Sequence, residues 1–211
     1  VSLGVSISGA PQWVEEPPTK LWFMSSLGAS ASCRARGTPA PHITWKTHDG
    51  STANNIPGIR EVLENGTIKF STFASGSFRN SVHSGSYHCQ ASNLDGVILS
   101  RTMDVRAVVE QAWEVRVSNQ HVETGNVAVL TCNVASYMKD FITITSWTQG
   151  NINYYPTHQS VEGRIQMVST GQLVVKDVRT SDGQLGFRCR AVHTLSGQSK
   201  ESRDTARIYV K

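Results

Sequence analysis

Apolar and polar residues alternate strictly around Cys33. Ala29, Ala31, Cys33 and Ala35 fall on one side of an extended chain, and Ser30, Ser32, Arg34 and Arg36 on the other. A period of two is the mark of a half-buried β-strand. Thr38-Pro39-Ala40-Pro41 ends that strand, and a second is predicted over His42 to Lys46 with Ile43 and Trp45 turned inward. The same rhythm returns where Ile68 and Phe70 alternate with Thr67 and Lys69, at Tyr87, Cys89 and Ala91, and from Val97 to Val105. Asn93-Leu94-Asp95-Gly96 supplies a hairpin turn between the last two.

The second half repeats the pattern. Val115 and Val117 alternate with Glu114, Arg116 and Ser118, and Ala128, Leu130, Cys132 and Val134 form one inner face. A strand ending at Trp147 is preceded by Ile142, Thr143, Ile144 and Thr145, so both of its faces are partly apolar. A core explains one face; partner contact or packing under a loop would explain the other. Strands follow at Ile165 and Met167, at Leu173 and Val175 after the turn Ser169-Thr170-Gly171, and at Phe187 to His193. The turn Leu195-Ser196-Gly197-Gln198 opens a last strand running to Val210.

One frame is laid over both halves: Cys33, Trp45, Cys89 and then Cys132, Trp147, Cys189, with Cys-to-Cys separations of 56 and 57. Tyr87 and Phe187 each stand two residues before the second Cys. A buried Trp packed on an intersheet disulfide defines an immunoglobulin (Ig) sandwich of about 100 residues, and 211 residues hold two. The predicted fold is all-β: two tandem I-set-like Ig sandwiches, bridged Cys33–Cys89 and Cys132–Cys189, over residues 11–107 and 108–211. The join Arg106-Ala107-Val108-Val109-Glu110-Gln111 lacks the Gly, Pro and Ser of a flexible linker. Its apolar residues predict a semi-rigid, roughly collinear pair buried at an interdomain contact.

Composition narrows the function. The chain has 20 basic and 16 acidic residues, a formal charge of +4, with no Lys/Arg run, so nucleic acid is not expected as a partner. The disulfides use every cysteine. No nucleophile elbow, zinc motif or phosphate loop accompanies the Ser, His and Asp residues, so neither enzyme activity, metal nor cofactor is expected. No stretch is apolar enough to span a membrane. VSLGVSISGA lacks a basic leader region and reads as a mature N-terminus or a trimmed remnant. Two cysteine pairs and the acceptor Asn65-Gly66-Thr67 point outside the cell. Asn65-Gly66 is also a hairpin-turn sequence, and an exposed turn tip is reachable for glycosylation.

Three departures from the Ig frame stand out. His83 occupies the place where I-set domains usually carry the Asp of Asp-x-Gly-x-Tyr-x-Cys, the partner of a basic residue near strand D. It reads as a local hydrogen-bonding residue or as a pH-responsive or metal-binding group. His88, five residues on, would fall on the opposite face of a strand, which argues against a metal pair. Phe187 lacks the hydroxyl of a tyrosine corner, and Asp182-Gly183 is displaced by one residue from the usual spacing. The Cys132-to-Trp147 gap is three residues longer than its counterpart, the excess falling between Ala135 and Phe141.

Several segments resemble the two N-terminal Ig domains of the Dscam family, the Down syndrome cell adhesion molecules. They are Ile56-Pro57-Gly58-Ile59-Arg60, Glu64-Asn65-Gly66-Thr67, Asp104-Val105-Arg106-Ala107-Val108-Val109, Gly125-Asn126-Val127-Ala128-Val129 and Phe141-Ile142-Thr143-Ile144-Thr145-Ser146-Trp147. Ser169-Thr170-Gly171, Lys176-Asp177-Val178, Asp182-Gly183, Cys189-Arg190 and His193 complete the likeness, which covers nearly the whole chain past residue 11. The resemblance implies homophilic adhesion between receptors on opposing neurons, in self-recognition and axon guidance. It implies that the second domain pairs with its own copy through the edge segment Val117, Ser118, Asn119, Gln120, His121, Val122 and Glu123. It also implies an extracellular ectodomain whose membrane anchor lies outside this fragment. At a two-fold axis a strand meets itself antiparallel, so backbone bonds supply attraction and self-facing side chains supply specificity. Robo-like guidance receptors have a similar first domain. The alternative is therefore a heterophilic receptor for a secreted protein ligand or an acidic glycan.

Overall fold

A computed structural model of the chain describes residues 9–157 and 163–211. The chain divides into two compact units, one ending at Glu110 and the next beginning at Gln111. The first holds β1 (Gln12–Glu15), β2 (Lys20–Met24), β3 (Ala29–Ser32), β4 (Arg34–Arg36), β5 (His42–Thr47), β6 (Arg60–Val62), β7 (Thr67–Phe70), β8 (Ser84–Asn93), β9 (Gly96–Leu99) and β10 (Met103–Val108). A single helical turn, α1 (Asn80–His83), precedes β8. One layer is β3-β7-β6 with β1 on β4; the other is β2-β10-β8-β5 with β9 beside β8. Only β2 on β10 is parallel among these pairings.

The second unit holds β11 (Arg116–Val117), β12 (Gln120–Val122), β13 (Ala128–Leu130), β14 (Cys132–Asn133), β15 (Ile142–Gln149), β16 (Ile152–Tyr154), β17 (Ile165–Met167), β18 (Leu173–Val175), β19 (Phe187–His193), β20 (Ser199–Glu201) and β21 (Ile208–Val210). One layer is β13-β18-β17, with β11 on β14. The other is β16-β15-β19-β20, to which β12-β21 is joined by the bridge of Phe187 with Ala206. Both units are Ig sandwiches.

The two cores are built alike. Disulfides join Cys33 to Cys89 and Cys132 to Cys189. Trp45 and Trp147 are 1% and 0% exposed. An indole buried this deeply must find an acceptor. Trp45 Nε1 donates to the carbonyl of Gly66 at 3.0 Å and Trp147 Nε1 to that of Gly171 at 2.8 Å. Both glycines have positive φ, 87° and 94°. A Cβ at Gly66 would collide with the Cys33 carbonyl, and one at Gly171 would stand 2.9 Å from Ile144 Cβ. Glycine is thus required at each turn by its positive φ and by the crowding above it, and its carbonyl is the acceptor for the buried indole.

Three strand expectations are corrected. The last strand of each unit is broken, between β9 and β10 and between β20 and β21. At each break a serine enters the ladder. Ser100 N–H donates to the Cys89 carbonyl and Ser100 Oγ accepts the Cys89 N–H; Ser202 does the same for Cys189. The partly apolar two-faced strand before Trp147 is resolved by a bulge between Ile144 and Ser146. One extra residue reverses the side-chain parity. Ile142 and Ile144 therefore pack on the core cluster, as Trp147 does beyond the bulge. Finally, Val108 pairs with Met24 in β10, and Ala107 is buried in the first unit's own core. The boundary expected at 107/108 falls inside that strand. Ala107 thus belongs to the first sandwich's core and Val108 to its strand ladder.

Candidate binding edge of the second unit

The segment Val117–Glu123 changes layers as it runs. Val117 pairs with Cys132 in one layer, whereas Gln120, His121 and Val122 pair in parallel with Ile208, Tyr209 and Val210 of the other. The crossing at Ser118 and Asn119 is held by Asn119 Oδ1, which accepts the Arg207 N–H at 2.9 Å. The side chains divide accordingly. Val117 is 8% exposed and lies in the core cluster, and Val122 packs against the same cluster. Their side chains face inward, so any contact they make across this edge is through the backbone. Ser118, Asn119, His121 and Glu123 are exposed and Gln120 is half-buried.

Backbone geometry is more informative than the side chains. In a parallel pairing, alternate residues direct both backbone groups to the same neighbour. Gln120 N–H donates to the Arg207 carbonyl, Lys211 N–H to the Val122 carbonyl and Thr124 N–H to the Lys211 carbonyl. The intervening His121 therefore points its N–H and C=O away from β21. β21 is the sole sheet neighbour of β12 among the described residues, so this rim is an open edge. Glu123 shares the outward direction, with its carbonyl taken by the Asn126 N–H in the following turn. The His121 ring lies on the outer face, stacked on Tyr209 at 4.9 Å and 17°.

The other expected site residues lie elsewhere. Asn65 is exposed at the turn between β6 and β7, its Oδ1 accepting the Thr67 N–H at 3.1 Å. Thr67 Oγ1 and Ser32 Oγ are 2.9 Å apart. His83 is buried on α1 and His88 sits on β8, half-buried. Among the described residues no group of three His, Cys, Asp or Glu side chains could hold a metal ion, and no helix is long and apolar enough to cross a membrane.

No family model matches the chain. Cell adhesion molecule Dscam1 of Drosophila melanogaster is 35% identical over 201 residues, covering 95% of this chain and 10% of that protein. Cell adhesion molecule DSCAM of Homo sapiens is 34% identical over 189 residues, covering 89% and 9%. The N-terminal four Ig domains of Dscam1 isoform 9.44 superpose with a TM-score of 0.93 at 33% identity, over 97% of this chain and 52% of that one. The chain belongs to the Dscam family. It spans about a tenth of the length of the curated Dscam relatives it matches. A DSCAM structure of eight N-terminal Ig domains, isoform 1.30.30, also superposes, with a TM-score of 0.90 at 34% identity, over 96% of this chain and 30% of that one. The Dscam matches in structure are thus to N-terminal Ig domains, the part of the family that the sequence resembles.

Proposed function

We propose that this Dscam-family pair is a recognition module of a cell-surface receptor. It binds a second copy of itself on an opposing cell, edge to edge through β12, in neuronal self-recognition and axon guidance. The carrying observation is the outward N–H and C=O of His121 on a strand whose other side is open. Placing a two-fold axis at His121 lets the two copies exchange both backbone bonds, as in an antiparallel hydrogen-bonded pair. That register sets His121 against its own copy, Gln120 against Val122, and Asn119 against Glu123. Asn119 uses its oxygen internally, which leaves its amide nitrogen to donate to the opposing Glu123 carboxylate. The module lies outside the cell, on a receptor anchored by a segment beyond these residues, with Asn65 glycosylated. The names of the two curated relatives reported above, both cell adhesion molecules, support this reading.

The test is aggregation of cells expressing the receptor that carries this chain. His121→Asp should abolish clustering while leaving unfolding free energy within about 1 kcal/mol, the scale of the ring contact with Tyr209 that it removes. Clustering that persists in this variant removes β12 from the account. Clustering with cells that lack the receptor would instead mark the heterophilic alternative.

A further inference from the structure

Two buried ring nitrogens lack a hydrogen-bond partner among the described residues, Nε2 of His83 and Nε2 of His193. His83 is fully buried at the end of α1. Its Nδ1 accepts the backbone N–H of Arg79 at 2.9 Å. The ring is stacked on Phe73 at 4.0 Å and 15°, with Phe78 at 5.5 Å. A ring accepting at Nδ1 in this way is neutral and carries its proton on Nε2.

The second unit has a corresponding but tighter turn, Thr180–Gly183, with different chemistry. There the Arg179 N–H donates to Asp182 Oδ2 at 2.7 Å, and Asp182 also receives both Arg164 nitrogens, at 2.6 and 2.7 Å. His83 performs the first task and cannot perform the second. The buried Arg60 turns elsewhere, donating to the Asn54 carbonyl at 3.1 and 2.9 Å and to the Tyr87 hydroxyl at 3.1 Å. Tyr87 in turn donates to the Val82 carbonyl beside His83.

We propose that His83 is an acid-release latch: a proton on Nδ1 breaks its bond to Arg79 and frees the turn from Ser75 to His83. The charges on this side are cationic. Arg79 lies on the turn itself, and Arg60 reaches in from β6 through Tyr87. From β10 and β2 the inward residues are Val105, Ala107 and Phe23, all apolar. Lys20, Asp104 and Arg106 gather instead around the Trp22 indole, on the other face. Burial, and then the Arg79 charge, hold the proton affinity of His83 below that of an ordinary histidine. The latch is therefore closed at neutral pH. Its contribution is complete above about pH 6.5, the ordinary histidine value, and is lost as pH falls through the lowered folded value. As the pH falls below the ordinary histidine value the first unit would loosen at this turn and uncover the half-buried Phe73, while the carboxylate latch of the second unit holds.

The readout must be local, because His193 in the second unit also accepts a backbone N–H, that of Ser196 at 3.2 Å. We would follow the Arg79 amide of the 211-residue chain by NMR hydrogen exchange from about pH 7.5 to about 5, expressed as a protection factor. Protection should fall by up to about tenfold per pH unit below ~6.5. His83→Asn keeps an acceptor near the Nδ1 position and should make protection independent of pH. Flat protection in the parent chain, or an equal loss in His83→Asn, overturns the proposal. If that variant does not fold, the His83 ring titration in the parent chain decides. Loss of Arg79 protection that tracks ring protonation supports the latch, and loss unrelated to it overturns the latch.

Discussion

Asp182 and His83 cap equivalent arginine N–H groups, but only Asp182 also neutralises a cation. Burial pushes the Asp182 carboxyl up, yet the Arg164 hydrogen bonds and the Arg179 N–H more than offset this and leave it below its ordinary value. Asp182 is 4% exposed, so removing it strands Arg164, itself only partly exposed, beside a desolvated pocket. Asp182→Ala should cost about 3 kcal/mol in urea unfolding of the second unit, the low end for breaking a buried pair. Because the folded value is depressed, this stability is present above ~3.9 and is lost as pH falls below it. The parent chain should lose it in strong acid, and Asp182→Ala should not. The displaced Asp-Gly was legible in the sequence as a departure from the I-set pattern. Its partner was not, because Arg164 lies 18 residues away and only the folded sheet brings the two together. Nor was the Arg60 solution legible, in which the Asn54 carbonyl and the Tyr87 hydroxyl, both neutral, replace the missing carboxylate.

Strands were legible where side chains alternate against a core, and less so where backbone geometry intervenes. The period of two around Cys33, Ile68 and Cys189 follows directly from one face being buried. The bulge at Thr145 left only a parity conflict between Ile144 and Trp147, and the Ser100 and Ser202 breaks left no sign in the apolar pattern. The binding edge lies between these cases. Resemblance picks out its seven residues, but which of them face solvent depends on the layer crossing at Asn119, which alternation does not report. The register centred on His121 makes a specific prediction. Asn119→Asp should weaken clustering, because each new carboxylate faces a Glu123 carboxylate across the two-fold axis. Glu123→Lys in a second cell population should restore mixed clusters. There the introduced lysine of one copy meets the introduced aspartate of the other, while the remaining Asn119–Glu123 pair is intact. Opposite charges directly across strands contribute about 0.2–1 kcal/mol and like charges oppose. Mixed aggregates of two labelled populations are the measurement. If mixing restores nothing, the axis does not lie at His121.

At the scale of the chain, the doubled Cys–Trp–Cys frame made the presence of two sandwiches plain, because each needs its own disulfide, indole and core. The place where one ends was harder to read. An apolar join looks the same whether it is a linker buried between domains or the end of a strand, and Ala107 and Val108 are the latter. The consequence is measurable. Val108 C=O accepts the Ser25 N–H at 2.8 Å, and Glu110 N–H donates to Ser25 Oγ at 3.1 Å. Ser25 is 4% exposed, so a fragment ending at residue 107 leaves its buried groups without those partners. At roughly 1 kcal/mol for each hydrogen bond lost, and with the Val108 side chain also removed, a fragment of residues 9–107 should be about 2–3 kcal/mol less stable than one of residues 9–110. Urea unfolding of the two, followed by the fluorescence of Trp13, Trp22 and Trp45, which both fragments contain, gives both midpoints under one probe. Equal midpoints would place the end of the first sandwich before Val108 and return Val108 and Val109 to a linker.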